Sequence, residues 1–201
     1  MGSEFFQVER VRGAVLVRLI SRDGTNRLSR ACVLALTKIV LELAQTGEPL
    51  VVAGNSKFFS VGADLNEIAS LDGPDAYVFS EMGQTRMHSV ADFPAPVFAA
   101  VEGHCMGGGL DLALACHHRI ASPGAIFGHR GAALGLITGW GGTQRLPRLI
   151  GKGRALELFI AAERVSAARA FEIGLVDSIV DDPVAEALAM SVRQEYRSME
   201  I

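Results

Sequence analysis

The chain has 201 residues, 49% of them hydrophobic and 20% charged, with a formal net charge of −3. That composition supports a packed core and excludes a disordered chain. The 19 basic and 22 acidic side chains form no block of like charge, which argues against nonspecific binding to nucleic acid or acidic membranes.

The first elements are a β-rich pair, Phe5 to Val11 and Ala14 to Ile20, split by Arg12-Gly13 into a predicted hairpin. Ser29 is the expected N-cap of a helix on which Cys32, Leu36, Ile39, Val40 and Leu43 recur at helical spacing, with Gly47 as its stop. Pro49 to Ala53 is a short apolar run of the kind buried on both faces of a parallel sheet. Phe58 to Leu65 reads as strand end, glycine turn and helix start, with Asp64 as N-cap. A helix follows over Asp75 to Ala91, then a buried strand over Pro96 to Val101 and a helix over Leu110 to Cys116.

Short strands are expected at Arg119 to Ala121 and Ala125 to Phe127, and helices at Gly151 to Ala162 and Ser166 to Ile173. A strand over Leu175 to Val180 and a terminal helix over Pro183 to Met199 complete the pass. The fold class is α/β, one domain wound as repeated strand–turn–helix units. Its core spans 1–180, with residues 181–201 as a terminal helical segment.

Cys32, Cys105 and Cys116 are an odd count without CxxC spacing, so neither a disulfide framework nor a metal site is expected. All three read as small core residues in a reducing compartment. No run approaches the ~20 apolar residues of a membrane span, and no signal peptide pattern opens the chain, so the expected location is cytoplasmic.

Four of the 22 glycines lie between Gly103 and Gly109, and five between Gly131 and Gly142. A glycine run at a helix start leaves backbone N–H groups free, and the helix dipole adds positive potential there. Two such turns side by side could aim two N–H donors at one oxygen, the requirement of an oxyanion hole. The alternative is that the glycines only allow close helix–strand packing.

The stretches Phe59-Ser-Val-Gly-Ala-Asp-Leu and Ala100-Val-Glu-Gly-His-Cys-Met-Gly-Gly-Gly-Leu-Asp-Leu-Ala are followed by Gly139-Trp-Gly-Gly-Thr-Gln-Arg-Leu-Pro-Arg-Leu-Ile-Gly and Ala170-Phe-Glu-Ile-Gly-Leu-Val-Asp. In order and spacing the chain resembles the crotonase (enoyl-CoA hydratase/isomerase) superfamily up to about Val180.

The resemblance implies a crotonase-like spiral of ββα units and an acyl-CoA thioester as substrate. It implies no separate cofactor, coenzyme A being part of the substrate, and a homo-oligomer, a trimer or hexamer. By motif position the N–H groups of Ala63 and Gly108 would be the oxyanion donors, and Ala63, Asp64, Leu65 and Asn66 would line the thioester region. A polarised thioester stabilises a neighbouring enolate, which can serve hydration, isomerisation, decarboxylation or thioester hydrolysis.

Family hydratases use two glutamates. Asp111 falls at the first of these positions and Gly131 at the second, so the second acid is missing. Catalytic use of Asp111 stands beside a simpler role as a cap in the first helical turn, where free N–H groups would lower its pKa. His129, Arg130, His104 and Glu67 are candidate replacements for the second acid, Glu67 otherwise completing a capping box with Asp64. Some naphthoate synthases of the family hold bicarbonate in place of this glutamate, so bicarbonate is a possible helper here, with Arg130 attracting it.

A noncatalytic acyl-CoA-binding protein of the same fold is the remaining alternative. Trp140, Gln144 and Arg145 read as packing, with Arg145 pinning loops, while Lys57 and Arg27 are candidates for the CoA phosphates. Family members continue with further helices, so a shortened C-terminal region and a more open acyl pocket, or one closed by a neighbouring subunit, are expected.

Overall fold

The computed structural model of the chain describes residues 2–193. In chain order these form β1 (Gly2–Ser3), β2 (Phe6–Val11), β3 (Ala14–Leu19), β4 (Arg27–Leu28), α1 (Arg30–Leu43), β5 (Leu50–Ala53), β6 (Phe58–Ser60), β7 (Gly62–Ala63), α2 (Leu65–Ala69) and α3 (Gly73–Ala91). The second half contains β8 (Val97–Val101), β9 (His104–Met106), α4 (Gly108–Ala115), β10 (His118–Ala121), β11 (Ile126–Gly128) and a 3-10 turn at Gly131–Leu134. It ends with α5 (Gly142–Ile150), α6 (Lys152–Ala161), β12 (Val165–Ser166), α7 (Ala167–Glu172), β13 (Ser178–Ile179) and α8 (Pro183–Ser191).

The strands form a seven-stranded sheet in the order β1-β2-β3-β5-β8-β10-β13, a four-stranded sheet β12-β11-β9-β6, and the pair β4-β7. β5, β8 and β10 are parallel neighbours in the large sheet. The strands that follow each of them, β6, β9 and β11, are parallel neighbours in the same order in the small one. Each turn of the chain therefore lays one strand in each sheet before a helix carries it back. The result is the spiral of ββα units that the resemblance implies.

The strand–turn–helix reading missed β9. His104–Met106 sits between glycines and is too short to show alternation, and it is a strand because β6 and β11 pair with it from both sides. The 3-10 turn at Gly131–Leu134 was likewise unforeseen. Leu175 to Val180 contributes only the two residues of β13.

Alternation along the strands divides the core. Val15, Val17, Leu50, Val52, Val97 and Ala99 face a large cluster that includes residues of α1, α3 and α4. Ala14, Leu16, Val51, Ala53, Phe98 and Ala100 face a smaller cluster with Ala187 and Leu188 of α8. The strands are thus buried on both sides, as their continuous apolar runs require, and each large side chain so buried contributes about 1.5–3 kcal/mol.

Helix boundaries follow local chemistry. The Ser29 hydroxyl accepts the Cys32 N–H at the start of α1, which ends at Leu43 rather than near Gly47, because the chain turns at residues 44–47 first. Asp182 caps α8, and the part of the expected terminal helix beyond residue 193 lies outside the described residues. Among the described residues no helix is long and apolar enough to cross a membrane. All three cysteines are buried and free.

Candidate active site

The β7–α2 and β9–α4 turns lock against each other. Gly62 has φ +94°, and a Cβ there would lie 2.6 Å from the Met106 carbonyl oxygen and 2.8 Å from the Gly108 nitrogen. A Cβ on Gly108 would lie 3.2 Å from the Ala63 nitrogen and 2.7 Å from the Trp140 ring. Glycine at both positions lets the two backbones touch, with the tight turn before α4 supplied by Gly107 at φ +51°. Gly108 is the first residue of α4, so its N–H has no partner within the helix.

One turn into α4, Asp111 is 1% exposed. The Thr138 hydroxyl donates to its Oδ2. Its Oδ1 lies 3.4 Å from Nε2 of His129, itself 4% exposed. Neither Oδ1 nor that Nε2 makes a hydrogen bond in good geometry. A Cβ on Gly142 would fall 2.2 Å from Oδ1 and 3.0 Å from Nε2, so the start of α5 must be glycine for the two groups to face each other. Burial raises the Asp111 carboxyl to about 7, against the lowering pull of the Thr138 hydroxyl, Arg145 and the Trp140 and Gly142 amides. Burial also lowers His129 to about 4, which keeps its imidazole neutral.

This overturns the expectation that the helix start would depress the Asp111 pKa. The carboxyl faces Thr138 and His129 instead of capping the first turn, and removal from water outweighs the nearby donors. A carboxyl that titrates near neutrality can take up and release a proton at physiological pH.

These groups line a cavity of about 770 Å³. Of the expected thioester-lining residues, Ala63, Leu65 and Gly108 border it, while Asp64 and Asn66 do not. The Asp64 carboxylate is used as the N-cap of α2, accepting the Asn66 N–H at 2.9 Å. His104, His129, Arg130 and Gly131 also border the cavity, and the His104 ring lies tilted against Phe58 with centroids 5.5 Å apart. Glu67 forms no box with Asp64. It reaches across to accept the Arg30 N–H at 2.8 Å and so caps α1.

Gly131 is more than a missing side chain. A Cβ there would lie 2.7 Å from the Leu136 carbonyl oxygen. Arg27 pairs with Asp23 and stands 4.0 Å from Asp64, and neither Arg27 nor exposed Lys57 borders the cavity. Arg145 donates to the Trp140 carbonyl, the loop-pinning role expected of it. Gln144 is exposed.

Sequence reading missed Thr138 and the cavity-facing role of Trp140, which packs over Gly108 and against Phe79. Both belong to a loop without periodicity. The glycine at 142, opening a helix, was the one local signal of close approach there. Among the described residues no group of His, Cys, Asp or Glu is arranged to hold a metal ion.

A family model described as enoyl-CoA hydratase/isomerase matches residues 9–199. A probable enoyl-CoA hydratase from Bacillus subtilis (strain 168) is 45% identical over 128 residues, which are 63% of this chain and 50% of that protein. The match thus spans half the length of that curated relative. Among solved structures, DspI of Pseudomonas aeruginosa superposes with a TM-score of 0.91 at 33% identity, covering 99% of this chain and 86% of that one. An enoyl-CoA hydratase from Bacillus anthracis gives 0.87 at 36% identity, covering 96% and 77%.

Proposed function

The chain belongs to the enoyl-CoA hydratase/isomerase family, and on that premise we propose that it is an acyl-CoA enzyme that forms an enolate in the cavity beside Asp111. The observation that carries this reading is the contact of the two glycine turns at the wall of a cavity that also holds a buried carboxyl. The thioester oxygen accepts hydrogen bonds from the N–H groups of Ala63 and Gly108, which stabilise it most when negative charge develops there. The Asp111 carboxylate removes a proton from the acyl chain next to the thioester. The C–H electron pair becomes the enolate double bond, and the oxygen takes the charge.

Gly131 supplies no second acid, so two-carboxylate hydration is slower by the ~10²–10⁴-fold that a lost proton-transfer group costs. A single carboxyl suits reactions in which one group takes a proton and returns it, as in double-bond isomerisation. A bound bicarbonate drawn by Arg130, which borders the cavity beside Gly131, is the alternative source of the second proton-transfer group.

The test is the enolate absorption band of bound acetoacetyl-CoA, compared in Gly108→Ala and Gly108→Pro. Both variants carry a Cβ against Trp140, but only proline deletes the N–H. The band is expected in wild type, weakened with alanine and absent with proline. A band that survives proline, or folded wild type that gives none, refutes this reading.

A further inference from the structure

Asp111 and His129 come from different turns of the spiral, α4 and the chain just after β11. Their facing atoms, Oδ1 and Nε2, stand 3.4 Å apart, both buried and both without a hydrogen bond in good geometry. Leaving two polar atoms unpaired in a core costs about 1–3 kcal/mol each. A chain that only needed to fill this space would place apolar groups there. Instead, Gly142 gives up its side chain so that both atoms converge over its Cα, and Phe159 packs its ring 5.2 Å from the imidazole.

We propose that His129 is the second proton-holding group of the cavity, a positioning residue that shares one proton with Asp111. With the carboxyl protonated, its O–H donates to the Nε2 lone pair. With the carboxylate ionised, the neutral imidazole in its other tautomer donates Nε2–H to Oδ1. The pair gains or loses one proton as a unit.

For substrate chemistry the inference rests on the thioester reading. With Nε2–H donating to Oδ1, the proton that Asp111 takes from the acyl chain bonds to its other oxygen, Oδ2, and stays on the carboxyl away from water. It then returns to a carbon of the enolate as the C–H bond re-forms. His129 thereby holds in place the one carboxyl that carries the proton, where position 131 supplies none.

The ionisable groups that act on the pair come from few elements. Arg145 of α5 acts on the Asp111 carboxyl, and the fully buried Cys105 thiol of β9 stays protonated beside it. Arg130 and Arg164 border the same cavity. His104 borders the cavity too, so the step that reports the pair is the one in the His129 ring signals that Asp111→Asn removes.

The experiment is a pH titration of the full chain labelled with 15N at histidine, in wild type, Asp111→Asn and His129→Gln, the last identifying the His129 ring signals. In wild type those signals are expected to change near pH 7, when the carboxyl ionises, and again near pH 4. In Asp111→Asn the upper step disappears. His129 signals that ignore the upper step, or that titrate identically without the carboxyl, overturn the shared proton.

In parallel, His129→Leu, which offers Oδ1 neither donor nor acceptor, is expected to move the pH midpoint of the acetoacetyl-CoA enolate band upward by about one pH unit, because the carboxylate loses the charge-assisted Nε2–H bond that favours it. An unmoved midpoint overturns the inference. A wild type that shows coupled titration and no enolate band refutes the thioester reading and leaves the pair standing.

Discussion

Asp111→Asn removes a charge and keeps a shape, so it isolates what burial does to this carboxyl. Its rise from 3.8 to about 7 corresponds, at about 1.36 kcal/mol per pH unit, to roughly 4 kcal/mol. Between those two pH values the folded chain holds a proton that the unfolded chain has lost. Stability from this group is therefore full below about pH 4 and is lost as pH rises to 7.

His129 runs the other way. Its pKa falls from 6.5 to about 4, so the unfolded chain binds the extra proton and stability is lost as pH falls through that window, by roughly 3 kcal/mol. From about pH 4 to 6.5 the two slopes oppose, and wild type is nearly flat in its dependence on this pair. Asp111→Asn exposes the His129 slope, with stability rising by up to roughly 3 kcal/mol over that interval. His129→Gln exposes the Asp111 slope, with a fall of up to roughly 4 kcal/mol from pH 4 to 7.

Urea midpoints at half-unit pH steps measure both, provided the m-values match. At pH 8 the Asn variant should be the more stable by up to roughly 4 kcal/mol, less about 1 kcal/mol for any weakening of the Thr138 hydrogen bond. All other ionisable groups cancel in the difference. If that difference between Asn and wild type stays constant from pH 4 to 8, the carboxyl is ionised in the folded chain and the argument from burial fails.

Gly142→Ala places a Cβ against Asp111 Oδ1 and 2.9 Å from a Thr138 methyl, so it should destabilise the fold by about 1–3 kcal/mol in urea titrations and abolish the enolate band. Glu67→Ala leaves the Arg30 N–H without its acceptor and should cost about 1 kcal/mol of stability, with the enolate band unchanged in the same preparation.

Legibility in the sequence followed the range of the interactions. The hairpin, the Ser29 and Asp64 caps and the buried strands at Leu50–Ala53 and Val97–Val101 all rest on contacts or periodicities within a few residues. They were readable for that reason. β9 was not, because its existence depends on partners from two other turns of the chain. Glu67 looked like a local capping residue, and its acceptor role is real, but the helix it caps begins 37 positions earlier.

The same division runs through the site. The sequence by itself determined the family, the spiral, the two glycine turns and the presence of one carboxyl where another position carries none, since all of these are written in residue type, order and spacing. Tertiary structure alone decided that Asp111 titrates near neutrality, that His129 faces it and that Thr138 and Gly142 complete the enclosure. The physical reason is that desolvation and hydrogen bonding depend on what surrounds a group in space. The groups that enclose Asp111, the His129 and Thr138 side chains and the backbone at Gly142, lie 18 to 31 residues further along the chain.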